Sequence, residues 1–445
     1  MIQTNRIPMA LDLEHCAEIL QAPDLVPGGR VTRVSGDTVE AILPHARTGA
    51  VYRIRNDQRD DLLAEVIGFK DHSTILAPFG TPRGIGPGQS VVPEGGTDEQ
   101  KVGDEWLGRV VDALGRPLDG GPPLRGSTII PIYAPAPNPM ERHPITRPLE
   151  TGVAVIDAMM TSGEGQRLGV FAGAGAGKST LLAMLARNSD ADVTVLCLVG
   201  ERGREVRSFI EHTLGKEGME NTVVLVATGD NAAILRMRVA FLATSLAEYF
   251  RDQGRKVLLV MDSLTRLAHA GRELGLAAGE PPATRGYPPY VFAMLPKLVE
   301  RAGNHLGSGS ITAFYSVLVE GDDMTEPVAD SVRALLDGHI ILSRRQAEAG
   351  RFPAIDVLAS LSRMAEELIS PEHLQLTRRV REIFSIHAEY QDLIQVGAYR
   401  PGTNRIVDRA ITLTPKLTDY FLQGRTDSRS LATTIQGLEE LLVNE

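Results

Sequence analysis

The spacing of apolar positions changes several times along the chain, and each change predicts a different kind of element. Leu13, Cys16, Ala17 and Leu20 recur at i, i+3, i+4 and i+7, which predicts a short amphipathic helix over residues 10–21. From about 26 to 92 the period drops to two. Val39, Ala41 and Leu43 alternate with other residues, and Tyr52 and Ile54 alternate with Arg53 and Arg55. Gly29, Gly36, Gly49, Gly68 and Gly80 punctuate these runs, so a small barrel or sandwich of short strands is expected. A Pro/Gly-rich stretch from Gly115 to Pro139 reads as the passage into a core domain. There the apolar runs Leu168–Phe171, Val193–Val199, Val257–Met261, Ile311–Val319 and Gly338–Leu342 alternate with helix patterns. Such alternation predicts an α/β fold, a mostly parallel sheet with helices on both faces. Beyond about 366 the strand signal fades. Val380, Ile383, Phe384 and His387 mark one helix, and Leu431, Ile435, Leu438 and Leu442 mark another. The expected division is an N-terminal helix in 1–25, a β-barrel in 26–92, the α/β domain in 93–365 and a helical domain in 366–445.

Composition adds little to this picture except by exclusion. A length of 445 residues fits about three domains. The 43% hydrophobic content suffices for a buried core, and a net charge of −10 argues against wrapping nucleic acid. The longest helix-like apolar segment, 232–250, is broken by Arg236, Arg238 and Glu248 and does not read as a membrane span. The N-terminus does not read as a signal peptide. Cys16 and Cys197 are far apart and outside any His/Cys cluster, so disulfide or zinc chemistry is not expected and a reducing cytoplasm fits.

The chemistry begins at Ala172, where an apolar run opens into Gly173-Ala174-Gly175-Ala176-Gly177-Lys178-Ser179-Thr180. Glycines at alternate positions let successive backbone N–H groups approach a phosphate chain. Lys178 can reach the outer phosphates, and the Ser179 hydroxyl suits Mg²⁺. The apolar stretch Leu181–Ala186 then reads as a helix whose N-terminus faces the anion. Strand, loop, Lys-Ser and helix together predict a P-loop that binds a nucleoside triphosphate, although the strict pattern begins with Gly and this chain has Ala172. A second apolar run, Val257–Met261, ends in Asp262, a carboxylate placed to hold Mg²⁺ through its hydration shell. A third ends in Val199-Gly200-Glu201-Arg202-Gly203-Arg204-Glu205, where Glu201 could position or activate water beside a terminal phosphate.

That last block resembles the signature of type III protein-export ATPases, relatives of the catalytic subunit of the rotary ATP synthase. Further resemblances run over about 140–364. They include Pro148–Val153, Gly163–Arg167, Ala247–Asp252, Gly279–Pro282, Gly286–Pro289, Val319–Asp323 and Pro353–Arg363. The export branch also has Ala at the position of Ala172. The resemblance implies a RecA-like nucleotidase core and ATP with Mg²⁺ as substrate and cofactor. Glu201 is then the catalytic carboxylate, Arg202 its partner in the same loop, and Arg266 an arginine near the terminal phosphate. Arg363 is a finger offered to the neighbouring subunit's site, where a guanidinium would neutralise charge on the transferring phosphoryl group. Phe352 is the aromatic that packs on adenine, where relatives often carry Tyr.

The same resemblance implies a homo-hexamer located in the cytoplasm, peripheral at the inner-membrane export apparatus. Its implied partners are a stator-like regulator at the N-terminal helix, a stalk protein in the ring pore, the export gate and chaperone–cargo complexes. The flagellar apparatus is the closer match, through Val299–Asn304, Gly309–Phe314, Val396–Tyr399 and Asp408–Ile411; a virulence-type injectisome is the alternative. An RNA translocase of the termination-factor type shares the architecture but wants a basic, aromatic barrel. Residues 25–92 hold eight Lys/Arg against seven Asp/Glu, with only Tyr52, Phe69 and Phe79 as aromatics, so no nucleic-acid partner is expected. A non-hydrolysing ring subunit would not need both Lys178 and Glu201. The proton-driven synthase is disfavoured by the short C-terminal region. Asp322, Asp323 and Glu326 read as a solvated loop rather than a metal site.

Overall fold

The computed structural model describes residues 28–56, 59–95, 98–305 and 307–443. The helix expected in residues 1–25 lies outside these. The chain divides into two compact units, one ending at Gly95 and one beginning at Gly96.

The first unit is a closed six-stranded barrel. Its strands are β1 (Gly29–Ser35), β2 (Thr38–Ile42), β3 (Val51–Ile54), β4 (Leu62–Lys70), β5 (Ser73–Pro78) and β6 (Ser90–Glu94), in spatial order β1-β2-β5-β4-β3-β6 with β6 returning to β1. The period-two pattern accounts for it directly. Val39, Ala41, Tyr52 and Ile54 point inward with Val31, Ala64, Val66, Leu76 and Val91, while Arg53 faces out and forms a paired ion contact with Glu94. Closure pairs every strand on both sides.

The second unit is built on a nine-stranded sheet. Its ordered path is β19 (Leu361–Ser362), β18 (Gly338–Leu342), β12 (Arg167–Ala172), β17 (Ser310–Leu318), β15 (Lys256–Asp262), β13 (Val193–Glu201), β14 (Thr222–Thr228) and β8 (Val110–Asp112), with β16 (Gly303–Asn304) paired on β17. Two small ribbons lie beside it, β7 (Glu99–Val102) with β9 (Thr128–Pro131) and β10 (Pro148–Leu149) with β11 (Ser162–Gly163). All pairings from β18 to β8 along the path are parallel, and only β16 and β19 run antiparallel. Burial on both faces explains the near-continuous apolar runs: Val193 to Gly200 is buried throughout. The five strands expected from those runs are present. β14 and β8 were not anticipated.

Buried Arg301 fastens the Pro-rich passage to this core. Its guanidinium bonds both Glu248 oxygens, the Ser245 hydroxyl and the Ile132 carbonyl, at 2.5–3.0 Å. Paired and fully hydrogen-bonded, it is the kind of charge an interior tolerates.

Three helices form the C-terminal region: Pro371–Gln395, Arg405–Tyr420 and Leu431–Val443. Ser370 caps the first by accepting the His373 N–H at 3.2 Å, with Pro371 pre-set in the first turn. The helix docks on the short buried helix Ala154–Met159. His373 and Thr377 bond the Ala158 carbonyl at 2.8 and 3.0 Å, and Arg381 donates to the Met159 and Ser360 carbonyls. The orphan carbonyls of a six-residue helix are thereby satisfied from the C-terminal region. Among the described residues no helix is long and apolar enough to cross a membrane.

Candidate active site

In a parallel sheet all strands point their carboxyl ends to one edge, and ligands gather there. β12, β13 and β15 deliver Ala172, Glu201 and Asp262 to that edge. After Ala172 the chain turns through Gly175 at φ +80° and Gly177 at φ +86°, left-handed positions that suit glycine, into the helix Lys178–Asn188. The loop's backbone N–H groups and the helix N-terminus face the same edge, as an anion site requires.

Asp262 is 3% exposed and is held from two sides. The Lys178 ammonium is in direct contact with its Oδ1, and the Ser316 hydroxyl donates to the same oxygen at 2.6 Å. Ser316 stands on β17, the strand between the loop strand and β15, so it bridges the gap that Lys178 spans. Ser179 is exposed and lines a cavity of about 410 Å³ shared with Asp262 and Glu201. Ser179 and Asp262 offer oxygen donors only, the set that a hard cation such as Mg²⁺ prefers.

Glu201 is half-buried with Arg266 beside it, Nε to Oε1 3.2 Å. Two local features place that arginine. Ser263, directly after Asp262, caps the helix Leu264–Ala277 by accepting the Arg266 N–H. Gly200 has φ +70°, and a Cβ there would meet the Arg266 Cδ at 2.9 Å, so the arginine crosses where only glycine leaves room. Burial pushes the Glu201 carboxyl above the ordinary glutamate range, and nearby Asp262 pushes the same way. Lys178 and Arg266 oppose both.

On the other side of the loop lies a second cavity of about 570 Å³. Gly175, Gly177, Thr180, Leu181 and Met184 form its floor, Phe352 and Pro353 one wall, and Leu422–Arg425 another. The Phe352 ring lies against Gly177, where an added Cβ would sit 3.0 Å from it. The phosphate loop thus separates a carboxylate-bearing cavity from an apolar, aromatic one, as a nucleotide's two ends would demand.

Two expected residues stand elsewhere. Arg202 is turned outward and pairs with Glu205 at 3.3 Å rather than with Glu201. Arg363 follows the edge strand β19 with its side chain exposed, and it lines neither cavity of its own chain. In the acidic loop Glu326 caps the helix Pro327–Leu335, and Asp323 accepts from Thr325 and Arg285. Sequence reasoning missed Ser316, a hydroxyl inside an otherwise buried strand, and the wall at Leu422–Arg425, which leaves no local signal.

Known proteins carry the same parts in the same order. Residues 31–95 match the ATP synthase alpha/beta family, beta-barrel domain; 152–362 match that family's nucleotide-binding domain; 369–440 match the T3SS EscN ATPase C-terminal domain. The flagellum-specific ATP synthase of Pseudomonas aeruginosa is 47% identical over 446 residues, covering 99% of each chain. The type 3 secretion system ATPase of Xanthomonas euvesicatoria is 49% identical and covers 92% of each. The structure of the assembled ATPase EscN with its central stalk EscO, from enteropathogenic E. coli, superposes with a TM-score of 0.85 at 41% identity. That likeness covers 93% of this chain and all of the other.

Proposed function

The chain belongs to the ATP synthase alpha/beta family, among its flagellum-specific and type III secretion ATPases, and is an ATP-hydrolysing enzyme; from that premise we propose that it energises protein export through a flagellar type III secretion apparatus. In this role it releases cargo from chaperones and promotes its unfolding and entry. The observation that carries the chemistry is the contact of Lys178 with Asp262, beside a Glu201 raised by burial.

Backbone N–H groups of 173–178 hold the triphosphate. Lys178 exchanges Asp262 for the outer phosphate oxygens, which leaves the carboxylate free to act, with Ser179, as the holder of Mg²⁺. Held by Ser179 and Asp262, Mg²⁺ would supply neutralisation of the charge developing on the phosphates. Glu201 orients and polarises the attacking water, and its raised proton affinity makes it a better base than an ordinary carboxylate. Arg266, already beside Glu201, faces the terminal phosphate. Arg202, in the same loop as Glu201 and paired with Glu205, supports it from behind. Adenine lies against Phe352, closed in by Leu422–Arg425.

Arg363, exposed beyond β19, completes the site of an adjacent copy, so the working form is a homo-hexameric ring. Residues 1–25 bind a stator-like regulator, 26–92 form the barrel, 93–365 the ATPase domain, and 366–445 the helical domain. A stalk protein in the pore is supported by the EscN–EscO assembly. The export gate and chaperone–cargo complexes complete the set of partners, at the cytoplasmic face of the inner membrane.

The similarity to the Xanthomonas enzyme favours one second reading, an injectisome ATPase. Deleting the gene separates the two: loss of flagellar filaments supports the first, loss of effector secretion with normal filaments the second. The chemistry is tested by Mg²⁺-dependent ATP hydrolysis and its loss in Lys178→Ala. A folded variant with near-normal turnover would remove the phosphate loop from the mechanism.

A further inference from the structure

The cavity beyond Glu201 contains one cation that the hydrolysis scheme leaves unused. Each carboxylate around it already has a partner: Asp262 touches Lys178, Glu201 lies 3.2 Å from Arg266, and Glu205 lies 3.3 Å from Arg202. Arg204 lines the same cavity as Ser179, Glu201 and Asp262, and its guanidinium has no carboxylate in ion-pair range among the described residues. With the neighbouring Lys178, Arg202 and Arg266 pairing the three lining carboxylates Glu201, Glu205 and Asp262, Arg204 is the cation of the lining that is left over.

Apart from the carboxylates just paired, the rest of the wall offers an oxyanion hydrogen-bond donors. Ser208 and Thr213 contribute hydroxyls, and Val206 and Phe209 contribute apolar surface. Thr213 lies in a π-helical stretch, Phe209–Leu214, set within the helical segment that starts at Gly203. Such wide turns recur at functional sites because they re-aim side chains that a regular α-helix would hold elsewhere.

A tetrahedral anion is produced beside this cavity in every turnover. Resting on the hydrolysis reading above, we infer that the cavity is the exit chamber for cleaved inorganic phosphate and that Arg204 is the ligand that receives it. Lys178 and Arg266 hold phosphate where it forms. Arg204 offers a planar, bidentate alternative further along, with no carboxylate to give up first. No bond forms or breaks in this step, and phosphate moves as its hydrogen-bonded anion. The aromatic cavity on the other side of the loop is left to ADP, so the two products depart by different walls.

The test uses the full chain in its assembled form, with Arg204→Gln and the conservative Arg204→Lys, each checked for assembly. ATP cleavage is followed by acid quench, phosphate release by a fluorescent phosphate sensor, and affinity for phosphate by its inhibition of turnover. In Arg204→Gln, release should fall behind cleavage, and inhibition by phosphate should weaken on the order of tenfold, the loss of one charge-assisted contact. Arg204→Lys should recover part of both. Release that keeps pace with cleavage, together with unchanged phosphate inhibition, overturns the proposal. So does weaker binding of a non-hydrolysable ATP analogue with phosphate inhibition intact, because Arg204 would then hold the terminal phosphate of ATP instead. A wild-type chain that does not cleave ATP removes the hydrolysis reading, and this inference with it.

Discussion

Gln423 closes on Ala154 from 269 residues further along the chain: its Oε1 accepts the Ala154 N–H at 2.7 Å. Its Nε2 donates to the Gly152 carbonyl at 3.0 Å, and its backbone N–H is bonded to the Phe352 carbonyl. One residue of the C-terminal region therefore clasps the start of the helix Ala154–Met159 and the aromatic wall of the base cavity together. Gln423→Ala strips the partner from the buried Ala154 N–H, which costs about 1–3 kcal/mol when left unsatisfied, while the Gly152 carbonyl keeps the Arg429 N–H. The variant should lose stability in urea by about that amount and show a raised KM for ATP with a smaller change in kcat. An unchanged urea midpoint and an unchanged KM would show the clasp to be idle.

Glu201 sets the acid limb of the rate profile. Its carboxyl is raised by burial first and by Asp262 next, so it takes up a proton at higher pH than an ordinary glutamate. A base acts only when deprotonated, so kcat should decline on acidification earlier than a surface carboxylate would dictate. Glu201→Gln should bind ATP, lose on the order of 10²–10⁴ in cleavage rate, and lose that acid limb from its residual activity. A variant with weakened ATP affinity but normal turnover of bound ATP would contradict the role.

Arg363 makes activity depend on assembly. The monomer should bind nucleotide and hydrolyse it slowly, with specific activity rising steeply with protein concentration, since such arginines are worth about 10³–10⁵ in rate. Mixing Arg363→Ala with Lys178→Ala subunits creates interfaces that pair an intact loop with an intact arginine. Partial recovery of ATPase activity is the expected result. Verified mixed rings that remain as inactive as either parent would disprove the shared site.

Asp157 ties stability to pH near neutrality. It is 1% exposed and accepts the Thr151 N–H, the Thr151 hydroxyl and the Gly152 N–H. Burial outweighs these donors and pushes its carboxyl up to about 7. The folded chain therefore binds this proton more tightly than the unfolded one. The stabilisation is complete below the ordinary aspartate range, about 4, and is lost as pH rises through about 7. The urea midpoint should fall across that window, and Asp157→Asn should flatten the fall. Identical slopes in both proteins would exclude Asp157 as its source.

What could be read in advance follows from where each residue sits in the chain. Glu201 and Asp262 each close an apolar run and Lys178 opens the helix that follows another, and strand–helix alternation alone brings such positions to one edge of a parallel sheet. Ser316 left a faint mark, a hydroxyl within a run buried on both faces. Gln423 left none, because its partners are defined only by folding. The helix Arg405–Tyr420 carries Val407, Ala410, Leu413 and Leu417 on its buried face, but Pro415 inside it reads as a breaker. The three-residue strand Val110–Asp112 is too short for a period to show. Between Arg202 and Arg204, both exposed, spacing cannot say which borders the cavity. That depends on the helix beginning at Gly203, and the structure sends Arg202 to Glu205 and Arg204 to the cavity.

The closed barrel of residues 29–94 has a consequence for whatever binds it. With β6 paired back onto β1, each of the six strands has a hydrogen-bonded neighbour on both sides among the described residues. A visiting peptide cannot lengthen the sheet by laying a strand against it, the route by which open sheets capture extended segments with little regard to sequence. Recognition has to go through side chains and loop tips. Substitutions at outward positions such as Ile42 and Phe69, both more than half exposed, can therefore retune a partner's choice while leaving the hydrogen-bonded wall behind them intact.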